Sequence, residues 1–179
     1  RSARLFSRGR SPHEHLSAGR RSGLVALAKG DSTEALPAIE RAAAVARRGF
    51  GTAECRPEID LLLADAQLLG RDPEAALDRA TSALAAFRDS QDRAGLARAH
   101  VRRSLAALGA AQATVALREA RLAESVPDAG RVARSLADLA LGRVYLRKDR
   151  TAAAEPFGRA ARNPGLYAPL RLVAEGKTS

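Results

Sequence analysis

Near its end the chain reads Gly176-Lys177-Thr178, the closing residues of a phosphate-binding loop, in which backbone amides and a lysine ammonium cradle phosphate oxygens. The full motif requires a glycine five residues before Gly176, and Arg171 stands there. No strand-like run precedes it, so nucleotide binding is not expected. His13 and His15 flank Glu14, residue types that ligate metals. Positions two apart on a helix do not share a face, and metal sites usually take three or four such ligands. The other histidine, His100, and Cys55 are distant in sequence, so His13 and His15 read as surface residues. No Cys-His signature surrounds Cys55, which reads as inert packing or simple exposure. Asp65, Glu74, Asp78 and Glu119 stand among arginines on helical stretches, where surface ion pairing explains them. No catalytic residue, metal or cofactor is therefore expected, and the chain is read as a non-enzyme.

The arginines are the remaining constellation. The 179 residues carry 30 basic and 20 acidic side chains, a net charge of +10. Lysine occurs only at Lys29, Lys148 and Lys177. So strong an arginine bias, beside much alanine and glycine, has two readings: a GC-rich bacterial genome, or an anionic partner such as nucleic acid or acidic protein. Aromatic residues make up only 3%, which argues against stacking on single-stranded bases. With one cysteine no internal disulfide forms, and a reducing cytoplasm fits. No stretch approaches the ~20 apolar residues of a membrane span, and the N-terminus has no apolar core of a signal peptide. The chain starts at Arg1 without Met and is read as a piece of a longer protein.

These side chains need elements to carry them, and the composition specifies helices. Hydrophobic residues reach 46%, Met and Trp are absent, and Ala and Leu dominate. Small side chains allow close helix–helix approach, while the β-branched and aromatic residues that strands favour are scarce. Turn signals fall at Gly30, Gly70, Gly109 and Asp149, at intervals of 40, 39 and 40 residues. A fixed period of this size marks a stacked helical-repeat array. Ser11, Pro12 and Glu14 signal a helix start, running to about Lys29. After Gly30-Asp31, a helix bearing Ala35, Ile39 and Ala42 ends near Arg47-Arg48. Further pairs are expected at about 56–69 and 73–87, at 94–108 and 111–124, and at 129–148 and 151–162. A polar connector covers 88–93, Pro127-Asp128 breaks the third pair from the fourth, and Asn163-Pro164-Gly165 closes the last. Residues 1–11 read as the end of a preceding helix, with Gly9 as its stop. The array spans 12–165 in units of about 12–51, 52–91, 92–127 and 128–165, and 166–179 form a short terminal helix or a truncated fifth unit.

Leu141-Gly142, Tyr145, Ala154, Ala161 and Pro164 follow the tetratricopeptide pattern in order and spacing, and residues 152–161 look like its second helix. Gly23, Ala26, Gly30, Ala35, Ile39 and Ala42 occupy the same slots in the first unit. The second and third units need a one-residue shift after the turn, and Arg102 sits where a small residue is usual. The chain thus resembles a tetratricopeptide-like repeat over about residues 12–164. The resemblance implies an all-α, right-handed superhelical solenoid of about four helix–turn–helix units. In it, Gly23, Gly142, Ala35 and Ala154 let the helices of a pair touch, and Tyr145 and Phe157 fill the gaps between pairs. The ordinary period is 34 residues. The longer period of about 40 resembles the repeat regions of large bacterial regulators of the LuxR-type ATPase and SARP-type antibiotic-regulator kinds.

The resemblance further implies that the first helix of each pair lines a concave groove. Its groove slots carry Arg20 and Arg21, then Asp60 and Gln67, then His100 and Arg103, then Arg143 and Arg147. The family's chaperone-binding clamp uses Lys and Asn, whereas Leu24, Ala64, Arg103 and Arg143 fill the Asn-type slots here, so that clamp is not expected. Arg20, Arg103, Arg143 and Arg147 are the candidate partner-binding residues, because guanidinium groups grip carboxylates bidentately. The expected function is a protein- or acidic-peptide-binding scaffold, the interaction or regulatory segment of a larger cytoplasmic bacterial protein. Direct binding of nucleic acid, or a helical appendage that positions a catalytic domain elsewhere in a longer protein, are the alternatives.

Overall fold

The structure is a computed structural model that describes residues 11–49, 55–147 and 149–162. Among the described residues there are eight α-helices and no strand, an all-α architecture over that part of the chain. The chain divides into two compact units, Arg1–Ala83 and Leu84–Ser179. The helix end expected at Gly9, the stop at Asn163-Pro164-Gly165, the terminal helix and Gly176-Lys177-Thr178 lie outside the described residues.

The first unit holds α1 (Pro12–Lys29), α2 (Ser32–Arg47), α3 (Cys55–Leu69) and the start of α4 (Pro73–Asp89). At the start of α1, Ser11 Oγ accepts from the Glu14 amide at 3.2 Å, and the Ser11 amide donates to Glu14 Oε2 at 2.7 Å. Pro12 follows at the first helical position, where no amide partner is needed. Gly30 ends α1 at φ 76°, a conformation that costs other residues ~1–2 kcal/mol. Asp31 then caps α2 directly, accepting from the Thr33 and Glu34 amides at 2.9 and 3.0 Å. The chain folds back, and α1 packs on α2, α2 on α3 and α1 on α3. The close approach needs Gly23, since a Cβ there would lie 2.3 Å from Ile39 Cγ1. Leu16, Ile39, Ile59 and Leu63 fill the core, set among Ala26, Ala35, Ala42, Ala46 and Ala66.

The second unit holds the end of α4, then α5 (Arg93–Gly109), α6 (Ala113–Ser125), α7 (Gly130–Leu146) and α8 (Arg150–Ala161). Here α5 packs on α6 and α7 on α8, and both α5 and α6 pack on α7. Gly142 lies against the Phe157 ring, where a Cβ would come within 2.5 Å. Val101, Leu141 and four alanines, Ala120, Ala123, Ala137 and Ala140, form a core cluster of this unit, with Leu105, Leu117, Leu136 and Tyr145 against it.

Setting the second helices in register on their capping residues, Asp31, Asp72, Gln112 and Asp149, exposes a common inner seam. Four residues after each cap stand Ala35, Ala76, Ala116 and Ala153, and eleven after stand Ala42, Ala83, Ala123 and Ala160, all at 0–1% exposure. The caps are 41, 40 and 37 residues apart, so the near-constant interval of the turn residues conceals unequal connectors.

Several local expectations change. Among the expected turn glycines only Gly30 adopts the left-handed conformation. Arg71 and Ala111 take it in the next two connectors, and α5 runs through Gly109. Asp149 is a cap, its carboxylate accepting from the Thr151 amide at 2.9 Å and from the Thr151 hydroxyl. The small contact residue of α8 is Ala153, while Ala154 is exposed. Phe157 fills the space inside its own pair, over Gly142, and not a gap between pairs. The connector expected at 88–93 shortens, because α4 continues to Asp89 and α5 starts at Arg93.

Candidate functional site

Each first helix carries a small buried residue at a matching position: Gly23, Ala64, Ser104 and Gly142. Four residues earlier, and so on the same helical face, stand Gly19, Asp60, His100 and Asp138. In three of the four pairs this position is polar and is tied to the second helix. Asp60 accepts from Ser82 Oγ at 3.0 Å, with Arg79 at 3.6 Å. Asp138 accepts from Arg159 Nε at 2.7 Å. His100 Nδ1 lies 2.8 Å from Glu119 Oε2.

The last of these holds the most deeply buried charged group among the described residues of the second unit. The Glu119 side chain is 1% exposed and lies near three cationic or proton-donating groups. Besides His100, Arg103 approaches Oε2 at 3.3 Å and Arg118 reaches Oε1 at 3.0 Å. Burial raises the pKa of a carboxyl group, because it disfavours charge. Here the His100 hydrogen bond, the Arg103 charge and the Arg118 hydrogen bond outweigh burial, and Glu119 is held below its ordinary value. At Asp60 and Asp138 burial wins: both carboxyls are pushed up, against the pull of Ser82 and Arg79 in one case and Arg159 in the other. Glu119 was read from sequence as a surface ion pair. It is instead a buried carboxylate, because it lies seven residues after the Gln112 cap, on the side of α6 that meets α5.

The four candidate arginines are placed differently from one another. Arg20 is half-buried on α1, and its Nε is buried without an acceptor. Arg103, on α5, is held by Glu119, and its Nε likewise has none. Arg143 and Arg147 are exposed at the end of α7, one turn apart and so on a common side. α5 packs on α7, which puts Arg103, Arg143 and Arg147 on two neighbouring helices of one unit. Of the other groove-slot residues, His100 is buried, and Asp60 is engaged by α4. Among the described residues no three His, Cys, Asp or Glu side chains converge as a metal site would require. No helix among them is long and apolar enough to cross a membrane.

Glu119, His100, Asp138 and Arg159 were not singled out as a group by sequence reasoning. A signal was present: Asp60-Ala64, His100-Ser104 and Asp138-Gly142 repeat a polar residue four positions before a small one. No protein-family model matches the chain, and no curated protein matches it.

Proposed function

We propose that the chain is a non-catalytic scaffold of tetratricopeptide-like helix pairs, stacked as a right-handed solenoid, that binds acidic protein segments. The observation that carries this reading is the packing of first helices on first helices, α1 on α3 and α5 on α7. A solenoid with a lining of first helices requires that adjacency. The matched alanine seam of the second helices supports it. On this reading the exposed guanidiniums of Arg143 and Arg147 are the principal grips for carboxylates, with Arg103 beside them and Arg20 contributing less. Arg103 already serves Glu119, so its share is smaller than its position in the sequence pattern suggests. The parent protein is a cytoplasmic bacterial regulator in which this segment receives a partner.

Fluorescence anisotropy with a labelled Asp/Glu-rich peptide tests the reading. Charge-assisted contacts contribute ~1–3 kcal/mol each when partly desolvated. Arg143→Ala is therefore expected to weaken the peptide by about five- to a hundredfold, and added salt to weaken it further. Tight binding that ignores both the substitution and salt removes the arginines from the interface. Preferential capture of a DNA or RNA duplex in the same assay favours the nucleic-acid alternative, which the net charge of +10 supports.

A further inference from the structure

At the polar position between paired helices, α1–α2 is the exception. Gly19 stands where the other pairs place Asp60, His100 and Asp138. Across from it, Arg41 occupies the tenth place after its cap Asp31, as Arg159 does after Asp149. Arg159 donates to Asp138 at 2.7 Å. Arg41 has no such acceptor: it is exposed and makes no hydrogen bond or ion pair among the described residues. Between the two helices at this level is a cavity of about 270 Å³ lined by His15, Ala18, Gly19, Ser22, Arg41, Ala44, Val45 and Arg48. None of these residues is acidic. Residues 1–13 contain no Asp or Glu, and Glu14 is committed to the Ser11 cap.

We infer that this cavity binds a carboxylate from outside the pair as the counter-ion of Arg41. It sits beside the helix contact, because a Cβ at residue 19 would already meet Ala38 O at 3.0 Å and Ala42 Cβ at 3.1 Å. Arg41 supplies the charge-assisted grip, with Arg48 beside it as a second cation and the Ser22 hydroxyl as a further donor. Ala18, Gly19, Ala44 and Val45 form an apolar wall for a short aliphatic stem. The volume falls below the roughly 300–1,000 Å³ of drug-sized sites, which fits a short-chain carboxylic acid or one glutamate side chain. This site rests on the α1–α2 pair alone and not on the groove reading above.

Nuclear magnetic resonance titration of the isotope-labelled chain at low salt is the test. Sodium butyrate, its neutral analogue butyramide, and glutamate blocked at both its amino and α-carboxyl groups are the probes. Saturable shifts clustered at Ser22, Arg41 and Val45 are expected for at least one of the two carboxylates and not for butyramide. The stronger of the two names the source: butyrate indicates a free acid, and blocked glutamate a protein side chain. Arg41→Gln keeps an exposed side chain of similar reach, so the fold should persist while affinity falls about tenfold or more. Ser22→Glu offers a carboxylate from within the chain and should raise the melting temperature while blocking both ligands. Failure of both carboxylates to saturate these residues, equal binding of butyramide, or unchanged affinity in Arg41→Gln overturns the proposal.

Discussion

Glu119 and Asp138 are both buried carboxylates paired with arginine, yet they respond to pH in opposite senses. Folding favours the ionised form of Glu119, whose pKa is lowered. Its contribution is complete above the ordinary carboxyl range and is lost as pH falls through the lowered value. Folding favours the protonated form of Asp138, whose pKa is raised by burial. Its contribution is complete below the ordinary value and is lost as pH rises through the raised one. Glu119→Gln should therefore destabilise by about 1–3 kcal/mol near pH 7, and by less near pH 3. Asp138→Asn should behave conversely, its penalty shrinking as pH rises over the same interval. Urea midpoints of the two variants and the wild type at both pH values decide the matter. Parallel trends would show that one of the two environments is misassigned. Glu119→Ala is the harsher change, because it leaves His100 and Arg103 facing a buried space without their acceptor, a loss on the order of 3–5 kcal/mol.

At the level of the helices, one substitution should act with opposite sign at two positions of the fourth pair. Gly142→Ala forces a methyl to within 2.5 Å of the Phe157 ring, and such overpacking costs about 1–3 kcal/mol. Gly158→Ala meets no closer atom than an Arg162 guanidinium nitrogen at 3.8 Å, and gains about 0.5–1 kcal/mol from reduced unfolded-state freedom and better helix propensity. Thermal melts of the two variants should move in opposite directions, and a shared direction contradicts the packing described for this pair. The helices themselves were largely legible in the sequence, because caps are local chemistry. Ser11, Asp31, Asp92 and Asp149 accept helix amides two or three residues ahead, and each boundary followed within a residue or two. Inward direction was not legible in alanine runs. Ala152, Ala153 and Ala154 are chemically identical, so composition offers no choice among them, and only tertiary packing selects Ala153. The same holds for Glu119: an acidic residue among Arg118, Arg121 and alanines carries no mark of burial until α5 is set against it. The acceptor that Arg41 lacks is a gap in a pattern, and it becomes visible only after the other three pairs are aligned.

For the whole chain, a net charge of +10 over 179 residues sets up self-repulsion that salt relieves. Raising ionic strength from about 0.05 to 0.3 M, where the Debye length falls below ~10 Å, should stabilise the fold and, on the proposed function, weaken binding of an acidic peptide. Opposed trends in melting temperature and peptide affinity are the expected signature, and a fold that loses stability with salt would mean that its attractive pairs outweigh the excess charge. The alanine seam has a separate consequence for inheritance. A single base change in an alanine codon yields Gly, Ser, Thr, Val, Pro, Asp or Glu, and all but glycine add atoms. Ala35, Ala42, Ala116 and Ala160 are fully buried, so added atoms must displace packed neighbours, at a cost of about 1–3 kcal/mol. Variation at the seam is therefore expected to be narrower than on the arginine-rich exterior, and relatives in which these alanines vary as freely as the surface arginines would contradict it.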